Sequence, residues 1–429
     1  MDAGNLLLLF SSTIFLGYVS GLFYTKTRVP DIIWLLAFGI LLGPILGYFE
    51  REIFLSVSPL MSVIALCIIL FDAGINIDIL LVARNMAKSV LLTVATFLSM
   101  VFSVGVFLHL LMPQMFTLLQ AMLLGAMIGG TSTIAVSAIL SNMERIVPNL
   151  ENVRVILIME SILSDPICII TSLALIRMVM APSISPTDIF KEIIYVLFLS
   201  SLLGFALGLV WAEVLGRLRG KPFNYILTIA VLFSTYIMAE RLVGEGGGPI
   251  ATLTLGLAIT NSRYIIRRLG VESDIRIDKR RLREFHEEIT FMIKSFYFVY
   301  MGLTATLSLE YTLLGLGVVA LALLVRYAVA TGLGRLPTFT NQEKVISRLI
   351  FAQGLPAFVM SQLPIIFDPN RRFFPRPEIY TDLAVPIVIG TILISAFLGP
   401  VIISRQLTSV GKPLSDKGDG KPGYGRPNK

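Results

Sequence analysis

Two carboxylates, Glu160 and Asp165, stand five residues apart in the stretch ESILSDP, residues 160–166, inside one of the most apolar runs of the chain. In hydrocarbon an ionised carboxylate costs several kcal/mol unless it is paired, hydrated or neutralised, so both residues ask for a role. Helical spacing sorts them. Ser161 and Asp165 are four apart and share a face, while Glu160 and Ser164 share the adjoining one. Counted from Asn152, Asp165 lies about 20 Å along a helix, close to the middle of a bilayer once tilt is allowed. A carboxylate with hydroxyls and carbonyls around it is an oxygen set suited to a hard monovalent cation rather than a soft metal.

A second group of oxygens comes from GGTST, where Gly129 and Gly130 precede Thr131, Ser132 and Thr133 in the middle of another apolar run. Glycine weakens a helix interior, and an unwound backbone there would expose carbonyls beside the hydroxyls. Asp165, Ser161 and the break at Thr131, Ser132 and Thr133 can thus converge on one cavity, with Ser164 beside them. Hydroxyls inside a span also serve as plain interhelical hydrogen-bonding groups, and that reading stays open for Ser161, Ser164 and Thr133. Lys294, in EEITFMIKSFYFVYMGL, is a third intramembrane charge, and Glu160 is its most economical partner. Asp72, in LFDAGINID, is either a further site acid or an interfacial residue at a helix end. Arg177 and Arg326 fall nearer the ends of their runs, where long side chains snorkel.

Stepping from residues to elements, apolar runs long enough to cross a bilayer recur about thirteen times. They fall near 5–24, 30–48, 57–76, 88–111, 115–140, 153–179, 190–214, 223–242, 248–262, 287–308, 311–333, 344–366 and 382–404. With 55% apolar and 15% charged residues and a mean hydropathy of +0.82, the chain is an all-α polytopic membrane protein. The fifth run is interrupted at Gly129 and Gly130, the twelfth at Gly354 and Pro356. Those positions correspond if the chain holds two six-helix repeats of inverted topology with the seventh run as linker, a pattern that points to a transporter's midplane site.

Lys and Arg set the orientation. With the N-terminus outside, 26 of the 35 basic residues fall on the cytoplasmic side and six on the outer side, three of those six in the single loop FDPNRRFFPRPE. The net charge of +7 comes mostly from residues 263–283 and the tail, which reflects topology and anionic lipid rather than nucleic acid. The tail, residues 407–429, rich in Gly, Pro and Lys, reads as disordered and cytoplasmic. Cys67 and Cys168 form no CxxC and read as small apolar residues. Two histidines, no HExxH, no GxSxG and no phosphate-binding fingerprint argue against an enzyme and against a cofactor.

Taken together, VPDIIWLLAFGILLGPILG, LFDAGINID, GGTSTIAV, ESILSDP and EITFMIKSFYFVYMGL resemble the monovalent cation/proton antiporter superfamily, most closely its archaeal and bacterial sodium/proton exchangers of the NhaP kind. The likeness runs through residues 1–406. It implies crossed broken helices at the fifth and twelfth runs, a homodimer, and a mobile core, placed here near 57–179 and 287–366, with the remaining runs forming the dimerisation scaffold. It also implies that the ion-binding aspartate falls on Asp165, its hydroxyl ligand on Ser161, the unwound-helix threonine on Thr131 and a third-run acid on Asp72. The acidic member of a buried ion pair would fall on Glu160 and its base on Lys294. Three departures stand out: Ser164 replaces an Asn or Asp, TST replaces TDP, and Gln353 replaces an Arg.

The implied activity is antiport of Na+ or Li+ against H+ across the cytoplasmic membrane, in the service of pH homeostasis, with no cofactor beyond the transported ions. Asp165, Ser161 and Thr131 would form the cation's ligand set, with Ser132 and Asp72 as further ligands and Ser164, Thr133, Glu160 and Lys294 in support. Because Ser164 does not titrate, exchange should be electroneutral. A K+/H+ antiporter, a cation channel of the same architecture and a non-transporting sensor are the alternatives.

Overall fold

Segments this apolar satisfy their backbone polar groups within hydrocarbon by coiling into helices, and most of the described residues do so. The computed structural model describes residues 3–403 apart from 28, 49–50, 78, 145–146, 148, 182–184, 222, 245, 269, 271–276 and 306–307, and no strand occurs among the described residues. The expected tail at 407–429 lies outside them.

In chain order the helices are α1 (Ala3–Thr27), α2 (Asp31–Ile40), α3 (Arg51–Asn76), α4 (Ile79–Leu111), α5 (Leu118–Met127), α6 (Thr133–Met143), α7 (Glu151–Met180) and α8 (Pro186–Arg217). There follow α9 (Asn224–Leu242), α10 (Gly247–Arg268), α11 (Lys279–Thr304), α12 (Leu309–Leu333), α13 (Asn341–Leu349), α14 (Leu355–Ser361), α15 (Leu363–Phe367) and α16 (Glu378–Leu393). Two of them run into π-helical turns, α2 into Leu41–Ile45 around Pro44 and α16 into Ile394–Leu398, after which helix continues through residue 403. Every expected apolar run falls on one helix or on a chain of short ones. The fifth run is α5 followed by α6, and the twelfth is α13, α14 and α15. Among the described residues five helical stretches are by themselves long and apolar enough to cross a membrane: Asn85–Leu111, Ile194–Arg217, Asn224–Leu242, Leu309–Leu333 and Glu378–Ile403.

Packing divides the helices into two groups. In the first, α10 lies against α3, α8 and α9, and α11 lies against α1, α2 and α3. Small residues allow these backbones to approach closely. A Cβ on Gly39 of α2 would fall 2.8 Å from the Cα of Gly302 of α11, and one on Gly256 of α10 would fall 2.6 Å from the Phe71 carbonyl of α3. In the second group, α4 packs on α5, α7 and α12, while α16 packs on α12 and α14. Contacts between the groups are sparse, chiefly α7 with α8 and α11 with α14. The third and tenth apolar runs, expected with the fourth to sixth, thus pack in the first group, and the thirteenth, expected with the scaffold, packs in the second. The reason is local: the faces of α3 and α11 carry the glycine approaches to α10 and α2.

The second group positions the polar residues. Thr117 and Gln120 form a capping box that starts α5, and Thr340 and Glu343 form another that starts α13. Glu343 is buried and takes Lys88 of α4 on both oxygens at 2.9 and 3.0 Å, which ties α13 to α4. Pro166 leaves α7 continuous through the ESILSDP stretch.

Candidate functional site

At residues 128–132 the chain between α5 and α6 unwinds, and at 350–354 the chain between α13 and α14 does the same. The two breaks cross. The Ser132 N–H donates to the Ala352 carbonyl at 2.8 Å, and the Gln353 side-chain Nε2 donates to the Ile128 carbonyl. From the other side α16 closes the second break, with the Gln353 N–H donating to Thr391 Oγ1 and the Phe351 N–H to Ser395 Oγ, both at 3.2 Å. Backbone groups that two helix ends leave unpaired are thus met by the opposite strand and by side chains, which is what makes a break affordable in hydrocarbon. Gly354 is required by proximity: a Cβ there would run into the Ser132 side chain.

The first break also lies against α7. A Cβ on Gly130 would fall 2.9 Å from both Cys168 Sγ and Ser164 Oγ, so the bare glycine lets the unwound chain reach α7. Next to it the Thr131 N–H donates to Ser164 Oγ at 3.2 Å, and Thr131 Oγ1 lies 2.8 Å from Ser161 Oγ. Ser161 gives its proton to the Leu157 carbonyl at 3.0 Å and Ser164 gives its own to the Ser161 carbonyl at 2.9 Å. Thr131 is then the donor to Ser161, and its lone pairs remain for another partner.

Asp165 stands beside this network, one turn beyond Ser161. It is 5% exposed, and among the described residues its carboxylate makes no hydrogen bond and no ion pair. Hydrogen bonds thus join Thr131, Ser161 and Ser164, and Asp165 follows Ser164 on the same helix, α7. Ser132 is not part of that group, since its Oγ caps α6 at the Ala135 N–H, 3.4 Å away, and its backbone serves the crossing. Thr133 is the first residue of α6, half-buried, and no hydrogen bond among the described residues joins it to the others. Asp72 lies apart as well. Its carboxylate accepts from Asn76 Nδ2 at 3.3 Å, and its charged neighbours are Glu287 and Arg283. Arg283 in turn caps the end of α3 by donating to the Ile75 carbonyl at 3.0 and 3.2 Å.

The expected pairing of Glu160 with Lys294 is corrected. Glu160 is gripped by Arg326 of α12, with Nη1 on Oε1 and Nη2 on Oε2, the latter at 2.8 Å. Arg326 is 0% exposed; its Nε donates to the Ser347 carbonyl at 2.6 Å and its Nη1 to Thr96 Oγ1 at 3.1 Å. It does not snorkel. Lys294 instead meets Asp31 in the first turn of α2, Nζ to Oδ2 at 2.5 Å. The cause is helix packing: α11 faces α2, whereas α12 packs on α4 and α13, both of which touch α7. Arg326 was legible through chemistry, because a guanidinium stays charged and matches a carboxylate fork, which suits a buried pair better than an ammonium. Arg177 does stay near the surface, paired with Glu192 of α8.

Among the described residues no three His, Cys, Asp or Glu side chains are grouped to hold a metal ion.

A bundle of apolar helices in which two interrupted helices cross beside a buried, unpaired carboxylate defines a transporter of small ions. The chain belongs to the sodium/hydrogen exchanger, transmembrane, family, whose profile matches residues 11–408. That family is one of transporters rather than enzymes. Its curated relatives include Sodium/hydrogen exchanger 7 of Arabidopsis thaliana, 23% identical over 304 residues, 68% of this chain and 25% of that one. Sodium/hydrogen exchanger 8 of the same plant is 24% identical over 250 residues, 55% of this chain and 32% of that one. The chain thus spans about a quarter to a third of the length of these relatives. Among solved structures, the sodium proton antiporter MjNhaP1 from Methanocaldococcus jannaschii at pH 8 matches with a TM-score of 0.76 at 20% identity, covering 96% of this chain and 98% of that one. An electron-microscopy map of the same antiporter matches at 0.71 and 21% identity over 96% of this chain and 100% of that one. These likenesses establish the fold, all-helical and of the cation/proton antiporter kind.

Proposed function

We propose that the chain exchanges Na+ or Li+ for H+ across the cytoplasmic membrane, with Asp165 as the one carboxylate for which cation and proton compete. The observation that carries this reading is a contrast within a single helix. Glu160 is neutralised by a fixed guanidinium, whereas Asp165, five residues on, is buried beside the Thr131, Ser161 and Ser164 oxygens and has no protein partner among the described residues. A buried carboxylate without a protein counter-charge is stable when it holds a proton or a cation, and costly to carry across empty. Either loaded form can cross and the empty form cannot, so competition alone couples the two fluxes.

The moving body in this reading is α4–α7 with α12–α16, and α1–α3 with α8–α11 form the scaffold and the face of a homodimer. Sparse packing between the two groups supports that division. Thr131, Ser161 and Asp165 form the ligand set. Ser132 and Gln353 hold the crossing. Glu160 and Arg326 fix α7 to α12. Orientation follows the basic residues, with the N-terminus outside and the C-terminus cytoplasmic, and the cellular role is pH homeostasis.

Purified protein in proteoliposomes, with a pH-sensitive dye inside and Na+, Li+ or K+ added outside, tests the proposal. Saturable, cation-dependent proton efflux with Na+ or Li+ preferred is expected. Efflux driven by K+ alone would move the reading to a K+/H+ exchanger, and cation current without proton countertransport would make the protein a channel.

A further inference from the structure

The loop FDPNRRFFPRPE places three arginines at the end of the bundle that holds the N-terminus, against the charge asymmetry of the rest of the chain. Two of the three are engaged. Arg371 pairs with Glu378, and Arg372 lies over the Phe373 ring at 5.5 Å. Arg376 is different: it is exposed, no carboxylate among the described residues pairs with it, and it lines a cavity of about 300 Å³ between this loop and the α4–α5 connection.

The cavity has a built frame. Asp368 accepts from the N–H groups of Arg372, Phe373 and Phe374 at 3.0, 2.6 and 2.8 Å and so fixes the loop. Gln120 at the start of α5 donates to the Phe373 carbonyl at 2.9 Å, and Tyr380 donates its hydroxyl proton to the Gln120 carbonyl at 3.0 Å. Phe116, Phe374 and Tyr380 pack edge to face as its wall. Met115 belongs to the lining, and Leu110 and Leu111 at the end of α4 and Leu118 at the start of α5, its near neighbours in the chain, are exposed. A lone guanidinium at the rim, an aromatic wall and an apolar flank leading along helix ends match one amphiphile, with an anionic head and a hydrocarbon tail.

We propose that this cavity is a binding site for an anionic phospholipid of the adjacent leaflet, the headgroup phosphate on Arg376 and the first acyl carbons along Met115, Leu111 and Leu118. Arginine forks match phosphate oxygens, and a charged group at the interface gains from the nearby low-dielectric region. The site explains why this loop keeps a cation that the topology disfavours, and it stands apart from Asp165, so it holds whether or not the exchange reading does.

The test uses the full chain purified in a neutral detergent and titrated with phosphatidylglycerol, phosphatidylcholine or glycerol 3-phosphate, with adducts counted by native mass spectrometry. Phosphatidylglycerol should bind the wild-type chain in preference to phosphatidylcholine. Arg376→Gln should weaken it about tenfold, the loss of roughly one charge-assisted contact. Arg372→Gln, whose side chain lies on Phe373, should leave it unchanged. Equal binding of phosphatidylglycerol to the wild type and Arg376→Gln, or equal binding of the two lipids, would overturn the site. Glycerol 3-phosphate binding as tightly as the lipid would make it a soluble-anion pocket and overturn the lipid assignment.

Discussion

Arg326 and Glu160 meet fork to fork, with the guanidinium wholly shielded from solvent and two further N–H groups donated to the Ser347 carbonyl and Thr96 Oγ1. One helix therefore carries two buried carboxylates in opposite electrostatic conditions. Glu160 is paired with a guanidinium; Asp165 has no partner among the described residues, which is what the proposed ion competition requires.

Breaking the pair from either side should be costly. Arg326→Met leaves Glu160 buried without a counter-charge, and Glu160→Gln leaves Arg326 in the same state, each at about 3–5 kcal/mol. The double variant should recover a good part of that loss, because no uncompensated charge remains. Thermal unfolding in detergent of the two single variants and the double measures it. Losses that simply add would show that the two residues are not coupled. Lys294→Met combined with Glu160→Gln should be additive, since Lys294 pairs with Asp31.

Asp165→Asn should abolish cation-dependent proton flux while the protein still inserts and unfolds cooperatively. An amide keeps the shape but cannot alternate between proton and cation. Ser161→Ala should be milder, weakening apparent cation affinity by roughly tenfold through loss of one hydroxyl and of the acceptor for Thr131. Dye-reported flux in proteoliposomes at varied Na+ reads both. Retained exchange in a folded Asp165→Asn protein would remove Asp165 from the mechanism.

The crossing of the broken helices offers a steric test. Gly354→Ala would place a methyl in the Ser132 side chain and should lower thermal stability and transport together. Ser132→Gly removes the obstacle at a cost of only a few tenths of a kcal/mol in capping α6, so adding it to Gly354→Ala should restore most of the loss. If the double variant is no better than Gly354→Ala alone, the two residues do not meet in the working protein.

Much of this is legible in the sequence. GGTST marks the break after Met127 because adjacent glycines weaken a helix interior, and ESILSDP places Ser161 and Asp165 on one face by spacing alone. Helical periodicity says which residues share a face but not which helix that face meets. Lys294 was assigned to Glu160 for that reason: both lie in apolar runs, and only packing reveals that α11 turns toward Asp31. The same gap hid the grouping of α3 and α11 with α10 and the role of Gln353, whose amide serves a carbonyl more than 200 positions earlier in the chain. Ser132, a ligand by composition, caps α6 in the structure, a role that depends on where the helix restarts.

The loop after α15 should respond to acid. Burial works to raise the Asp368 carboxyl, but the N–H groups of Phe374, Phe373 and Arg372 and the Arg372 charge outweigh it and hold the group below the usual carboxylate range. A depressed folded value contributes stability that is complete above the ordinary aspartate range, near pH 3.9, and is lost as pH falls through the folded value. Amide exchange at Arg372, Phe373 and Phe374, followed by mass spectrometry and corrected for intrinsic rate, should show protection at pH 6 that is lost only well below pH 4. Loss of protection already at pH 5 would mean that the carboxylate does not hold the loop.

The last prediction concerns charge movement. Three groups besides Asp165 bear on charge movement in the proposed cycle, Ser164 and Glu160 on α7 and Lys294 on α11, and each has a fixed partner. Ser164 is a hydroxyl, spent on Thr131 and the Ser161 carbonyl, and does not titrate in the working range. Glu160 is held by Arg326. Lys294 is held by Asp31 in the group of helices that packs apart from Asp165. Only Asp165 then changes its load, one cation against one proton, and each half-cycle moves a neutral carboxyl or a neutral ion pair. Exchange should therefore be indifferent to membrane potential. Vesicles loaded with a sodium gradient and clamped with valinomycin and K+ at two potentials provide the measurement, once K+ is confirmed not to be a substrate. Equal proton flux at both potentials is expected, and Lys294→Met should leave that indifference unchanged even if it lowers stability. Flux that scales with potential in the wild type but not in Lys294→Met would identify Lys294 as a proton carrier and end the one-carboxylate account.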